Sequence, residues 1–266
     1  MTEEIVIDWN HVLQCNSFLN NGVENAYFEY IWHKYYDNPT LKFADWPGGN
    51  HQFDHHWLIK YYLNFVVAKD LYAGNTVLDL GCGVSFYAKW AVDCGAKLYH
   101  GVEPDSTRYN FNLELSDLRG IADQTRFTCS DAETFLQNQN SYDLVLLPES
   151  LYYMHNQHEI LNLINTKISP RWLIVESVVA SESDNHPQGI FTVDYSSDNP
   201  KDYDSYRSGD LPRLKIQASR NAYGKMFAST GWKIQSYYDF KNYQGKDFPT
   251  QSIREGRKMF YILTKA

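Results

Sequence analysis

Cysteine is scarce in this chain. Cys15, Cys82, Cys94 and Cys129 are scattered through 266 residues with no C-x-x-C pair, which leaves no zinc framework or disulfide scaffold and reads as reduced thiols of a cytoplasmic protein. Long apolar runs are missing too, so no bilayer-spanning helix is expected and a membrane partner drops out. The opening MTEEIVIDWN is acidic and mixed, unlike a signal or transit peptide. Positive charge is in deficit: 24 Lys+Arg face 32 Asp+Glu, a formal charge of -8. That balance argues against nucleic acid or an anionic membrane as partner. What the chain has in quantity is aromatic side chains, 21 of them Tyr. The tyrosine ring joins an apolar body to a polar tip. The excess therefore reads as a pocket or interface lined by amphipathic rings, or as ordinary core and surface tyrosine. The length suffices for one α/β domain with a sizeable core.

Two regions differ in pattern. Residues 1–73 are helix-like and aromatic, with a break at DNPTLKFADWPGGN, and form an N-terminal helical or lid segment. From Thr76 short apolar runs alternate with helical periodicity. The strand candidates are 76–80, 97–102, 125–129, 142–147 and 171–176, and the helix candidates between them are 84–94, 105–118, 132–138 and 156–167. This alternation predicts a parallel sheet covered on both faces, within a domain spanning 74–266. RNAYGKMFASTGWKIQSYYDF predicts a further helix, a stop at Gly231 and another strand, and RKMFYILTKA a terminal strand. The insert 180–218 is polar and turn-rich, and a loop that long inside a domain is functional or mobile.

The stretch NTVLDLGCGVSFYA, residues 75–88, reads as a strand, a glycine turn and a helix. In an open parallel sheet a ligand sits beyond that turn. A dinucleotide fingerprint would want a small residue where Phe86 stands, and a pyrophosphate would be repelled by Asp79 at the strand end. An NAD-dependent oxidoreductase is weakened on both counts. A ligand with an ammonium and no phosphate would favour Asp79, and S-adenosylmethionine is such a ligand. Glu103, about 20 residues past the glycines, is placed to accept hydrogen bonds from ribose hydroxyls. Asp131, followed by Ala132, is placed to accept from an adenine amino group. Each acid alone has a plainer reading as a helix cap or first-turn charge. The argument rests on three acids at the ends of three successive strands.

VLDLGCG, GVEP, SDAETF and YDLVLLPESLYY, with FASTGWKIQSYYDF and KMFYILTKA at the C-terminal end, together resemble the class I S-adenosylmethionine-dependent methyltransferase family over roughly residues 55–266. The resemblance implies a doubly wound, mostly parallel, seven-stranded Rossmann-like sheet with an antiparallel last strand. It implies S-adenosylmethionine as cofactor. Asp79, Gly81 and Gly83, with Cys82 between the glycines, would contact its methionine part, Glu103 and the adjoining Pro104 its ribose, and Asp131 and Ala132 its adenine. The family often has glycine where Ser85 stands; Ser85 is expected to open the helix and offer its N–H. The glycine-turn region, LYY after the fourth strand and the long insert are distantly similar to the tRNA wobble-uridine carboxymethyltransferases.

Because a sulfonium activates its own methyl group, the protein must chiefly align an acceptor lone pair and exclude water. A general base is required only for an acceptor that carries a proton. Candidates after the fourth strand are Tyr152, Tyr153 and His155. The plainer reading of the tyrosines is wall packing, and of His155 a surface or helix-start residue. Glu149 contacts the cofactor or is a simple first-turn acid. His51, His55 and His56 are read as part of a lid, as substrate site with Trp57 or a His facing the substrate, or as packing, and no metal is assigned. Two segments, 43–60 with Trp46, Phe53 and Trp57, and the insert with Phe191, Tyr195, Tyr203 and Tyr206, are expected to fold over the cofactor. The aspartates of the insert (Asp184, Asp194, Asp198, Asp202, Asp204, Asp210) suit a neutral or cationic small-molecule acceptor better than tRNA. A tRNA-modifying enzyme and a non-catalytic binding module are the alternatives.

Overall fold

Strongly apolar runs at the centre of the chain build a sheet that is buried on both faces. The computed structural model describes residues 2–8, 10–11, 59–138, 141–180, 189–195, 214–242 and 256–266. Its strands are β1 (Glu3–Glu4), β2 (Thr76–Leu80), β3 (Leu98–Glu103), β4 (Thr125–Cys129), β5 (Leu144–Pro148), β6 (Trp172–Val178), β7 (Phe191–Tyr195), β8 (Leu214–Ala218), β9 (Trp232–Asp239) and β10 (Lys258–Lys265). The helices are α1 (Tyr87–Asp93), α2 (Ser106–Leu118), α3 (Ala132–Gln137), α4 (Gln157–Leu163) and α5 (Arg220–Ser229).

Eight strands form the main sheet in the order β1-β9-β10-β6-β5-β2-β3-β4. The ladders β2–β3, β3–β4, β2–β5 and β5–β6 are parallel, and β10 runs antiparallel between β6 and β9. The chain winds outward one way through β2, β3 and β4, then returns to start β5 on the other side of β2. The topological switch point therefore lies between β2 and β5, where open α/β sheets place their ligands.

Alternate side chains of each strand enter two cores. Val77, Tyr99, Leu146, Ile174 and Ile262 pack with α1 and with residues 59–72, among them Leu63, Phe65 and Tyr72. Leu78, Val102, Leu147, Val175 and Leu263 pack with α3, α4 and α5. Leu144 to Leu147 of β5 are wholly buried, and each such side chain contributes about 1.5–3 kcal/mol of transfer free energy. Helix starts are fixed by caps: Asp105 accepts from the amides of Thr107 and Arg108 at α2, and Ser219 from Ala222 at α5.

The mostly parallel, doubly wound sheet with its antiparallel last strand is the expected architecture. Four details differ. The sheet has eight strands, because Glu3 and Glu4 add a short parallel edge to β9; two residues carry no readable periodicity. The helix expected from residue 84 begins at Tyr87, because the glycine turn runs on through Phe86. Part of the 180–218 insert is regular, with β7 and β8 forming an antiparallel ladder. Residues 59–72 of the expected lid segment belong to the sheet's own core. The lid residues Trp46, Phe53, Trp57, Tyr203 and Tyr206, and His51, His55 and His56, lie outside the described residues. Phe191 is described and exposed.

Candidate functional site

The parallel register brings the C-terminal ends of β2, β3, β4 and β5 to one edge. A cavity of about 560 Å³ opens there, within the span of small-ligand sites. The cofactor-binding and catalytic candidates line it: Asp79, Gly81, Cys82, Gly83, Glu103, Pro104, Asp131, Ala132, Glu149, Tyr152, Tyr153 and His155. Their meeting follows from topology, since each sits at the C-terminal end of a strand or in the segment that follows it.

The glycine turn is tied down by backbone and side-chain bonds. The amides of Gly81 and Cys82 donate to the carbonyl of Val102 at 2.8 and 3.1 Å. Gly81 and Gly83 both hold positive φ, +76° and +57°, where a Cβ is strained. At Gly81 a Cβ would also fall 2.8 Å from Cβ of Ser150, while at Gly83 it would meet nothing within 4 Å. Asn112 of α2 braces the turn by accepting from the Ser85 amide (2.9 Å) and donating to the Gly83 carbonyl (2.8 Å). This corrects one expectation: the Ser85 N–H is committed to Asn112, and its hydroxyl is buried against the Tyr99 hydroxyl at 2.7 Å. Ser85 therefore braces the turn and does not offer its amide to a ligand.

Asp79 is 1 % exposed. Its Oδ2 accepts from the Tyr99 hydroxyl, while Oδ1 has no hydrogen-bond partner among the described residues. Burial pushes its carboxyl up to about 7; the Tyr99 bond opposes the rise, Glu103 adds to it and Lys60 opposes it. A buried carboxylate oxygen without a partner is costly unless a donor arrives. The site thus fits a ligand that brings a cationic donor.

Glu103 ends β3 and is nearly buried, and burial raises its pKa while Arg108 and two backbone amides pull it back. Those amides are Gly83, donating to Oε2 at 2.9 Å, and Asp105, donating to Oε1 at 3.0 Å. Glu103 therefore joins the glycine turn to the start of α2 and also faces the cavity. Asp131 caps α3, accepting from the Thr134 amide at 2.8 Å; hydrogen bonds from Thr134 hold its carboxyl below the usual range. Its capping role and its place on the cavity wall coexist.

At the β5 end, Tyr152 is buried and its ring lies 4.4 Å from that of Tyr153. Lys215 of β8 stands 5.4 Å from the Tyr153 ring, so part of the insert reaches this wall. His155 is exposed at the rim. Glu149 has φ of +58° and is ion-paired to both Lys60 and Lys258. Lys60, Tyr87, Arg108 and Ser150 also line the cavity and are not evident from the sequence. Ser150 follows Glu149 directly and could have been found by extending the strand-end argument one residue. Lys60 sits in an aromatic helical run with no motif to mark it.

A family profile described as a methyltransferase domain matches residues 55–237. A search of curated proteins finds no match. Several solved structures share the fold at low identity. An S-adenosylmethionine-dependent methyltransferase from Mesorhizobium loti is 13% identical, with 76% of this chain and 97% of that chain covered and a TM-score of 0.52. The magnesium protoporphyrin IX methyltransferase ChlM from Synechocystis PCC 6803, with bound S-adenosylmethionine, is 14% identical, with 99% and 100% covered and a TM-score of 0.55. The [4+2]-cyclase SpnF is 16% identical, with 75% and 80% covered and a TM-score of 0.52. A cyclase among these neighbours underlines that the fold does not fix the reaction.

Proposed function

The chain belongs to the methyltransferase-domain family, the class I S-adenosylmethionine-dependent methyltransferases that its motifs resemble, and from that premise we propose that it transfers a methyl group to a small-molecule acceptor bound against Tyr152 and Tyr153. The observation that carries the reading is Asp79: a buried carboxylate with one oxygen unpartnered among the described residues, on the wall of a cavity at the switch point.

S-adenosylmethionine supplies a methyl group already activated by its sulfonium, and the residues have to bind and align. Asp79 Oδ1 accepts from the ligand's ammonium, which ends the cost of its isolation. Gly81 and Gly83 keep the wall free of side chains where the methionine part lies. Glu103 accepts from the ribose hydroxyls with the lone pairs that its two backbone donors leave open. Asp131 and Ala132 line the adenine end. Tyr152 and Tyr153 form the acceptor wall and keep water from the transfer path, and this positioning is the main source of acceleration. For an acceptor that carries a proton, His155 at the rim is the candidate general base.

The small-molecule reading is supported by the size of the cavity and by the net charge of -8, which leaves little long-range attraction for a polyanion. Mass spectrometry of the protein purified under native conditions tests the cofactor. Co-purified S-adenosylmethionine or its demethylated product is the expected result, and co-purified nicotinamide dinucleotide would overturn it.

A further inference from the structure

Four charged side chains form a buried ladder beneath the β5 end of the cavity. Lys60 pairs with Glu149 Oε2, Lys258 pairs with Glu149 Oε1, and Lys258 also pairs with Glu176 Oε1 at 2.7 Å. The signs alternate, so the ladder is neutral as a whole. It draws on the helical turn at residue 60, the β5 exit, β6 and the start of β10. Lys60 and Glu149 line the cavity; Lys258 and Glu176 lie wholly behind it, both fully buried.

Neutralising Glu176 would require only Lys258. The ladder instead runs on through Lys258 to Glu149, which faces the ligand space. Glu149 also holds a left-handed backbone, φ +58°, which costs a residue with a Cβ some stability. Its amide is fixed by donation to the Glu176 carbonyl at 2.8 Å. Backbone and side chain of Glu149 are thus both held from β6 and β10. Other titratable groups facing the ladder are Tyr87 and Asp79; burial raises both of their pKa values, with the charges of Glu149 and Glu176 adding to that of Tyr87. Burial alone would lower the pKa of Lys258, yet Glu149 and Glu176 hold it above the ordinary lysine value.

We propose that Lys258 and Glu176 are positioning residues of the binding site: Lys258, charge-balanced by Glu176, fixes the Glu149 carboxylate at the cavity wall, so that the last strand sets the affinity for the cationic end of the cofactor. This rests on the reading of the cavity as an S-adenosylmethionine site. A role confined to stability would lower the melting temperature and leave the affinity of the folded protein unchanged.

The test exploits that difference. In the double variant Glu176→Lys with Lys258→Glu the inner pair survives with its charges exchanged, but Glu149 now meets a carboxylate. Calorimetry with S-adenosylhomocysteine on the full-length chain is the readout, with circular dichroism confirming the fold. The expected result is affinity at least tenfold weaker than wild type. Affinity within twofold of wild type in a folded variant would overturn the proposal. Should the exchange not fold, Lys258→Met with Glu176→Gln removes both inner charges together, a change that buried pairs tolerate better than loss of one partner. It removes the Lys258 contact from Glu149 and keeps that of Lys60, and the same tenfold weakening is expected, with unchanged affinity again overturning the proposal. If the wild-type chain itself binds no S-adenosylhomocysteine, the reading of the cavity fails, a result distinct from failure of the ladder.

Discussion

Asp79 shows how one residue can carry a pH signature. Its carboxyl titrates near 7 in the free protein because burial penalises its charge. A cationic ligand favours the ionised form, so binding below that pH must expel a proton. Affinity for S-adenosylhomocysteine should therefore be full at pH 8 and fall as pH drops through 7 toward 5.5, approaching tenfold per unit. Calorimetry in buffers of differing ionisation enthalpy should show proton release at pH 6.5. Asp79→Asn should bind more weakly at pH 8 and lose most of the pH dependence; a flat wild-type profile would contradict this account. The acids at this site were legible in the sequence because each follows an apolar run that reads as a strand. Lys60, Asn112, Glu176 and Lys258 were not, because their roles arise from contacts between elements far apart in the chain. Lys258 precedes the apolar run MFYIL and looks like a solvent-facing strand start, yet β6 and the β5 exit enclose it.

The β2–turn–α1 unit is the element on which the site is built. Its strand was legible from TVLDL and its turn from the glycines. Its helix start was not, because Phe86 and Ser85 are held by tertiary contacts in place of a local cap; α1 begins with no capping side chain. The insert was read as loop because its apolar residues alternate too sparsely, although β7 and β8 pair across it. The turn itself makes a graded prediction. Gly81→Ala and Gly83→Ala both force a Cβ into left-handed backbone, worth about 1–2 kcal/mol. Only Gly81→Ala also drives that Cβ into Ser150. Scanning calorimetry should give the lower melting temperature for Gly81→Ala; equal melting temperatures would show that Ser150 yields without cost.

At the scale of the whole molecule, the doubly wound order was legible because β and α periodicities alternate cleanly from Thr76 onward. The edge strand β1 and the packing of residues 59–72 against the sheet were not, since neither depends on local pattern. Net charge is also a whole-molecule property, and -8 predicts weak binding to bulk tRNA at physiological salt. Tight binding with a steep salt dependence in a filter or fluorescence titration would favour a tRNA-modifying enzyme instead. The central claim, that the cavity beyond β2 and β3 is built for S-adenosylmethionine, is tested most directly by titrating the wild-type chain and Glu103→Ala at pH 8 with S-adenosylhomocysteine and, separately, with NAD. The account predicts single-site binding of S-adenosylhomocysteine, weakened at least about tenfold by Glu103→Ala through loss of charge-assisted hydrogen bonds worth roughly 1.5–3 kcal/mol, and no binding of NAD. Binding of NAD, or S-adenosylhomocysteine affinity untouched by Glu103→Ala, would contradict it.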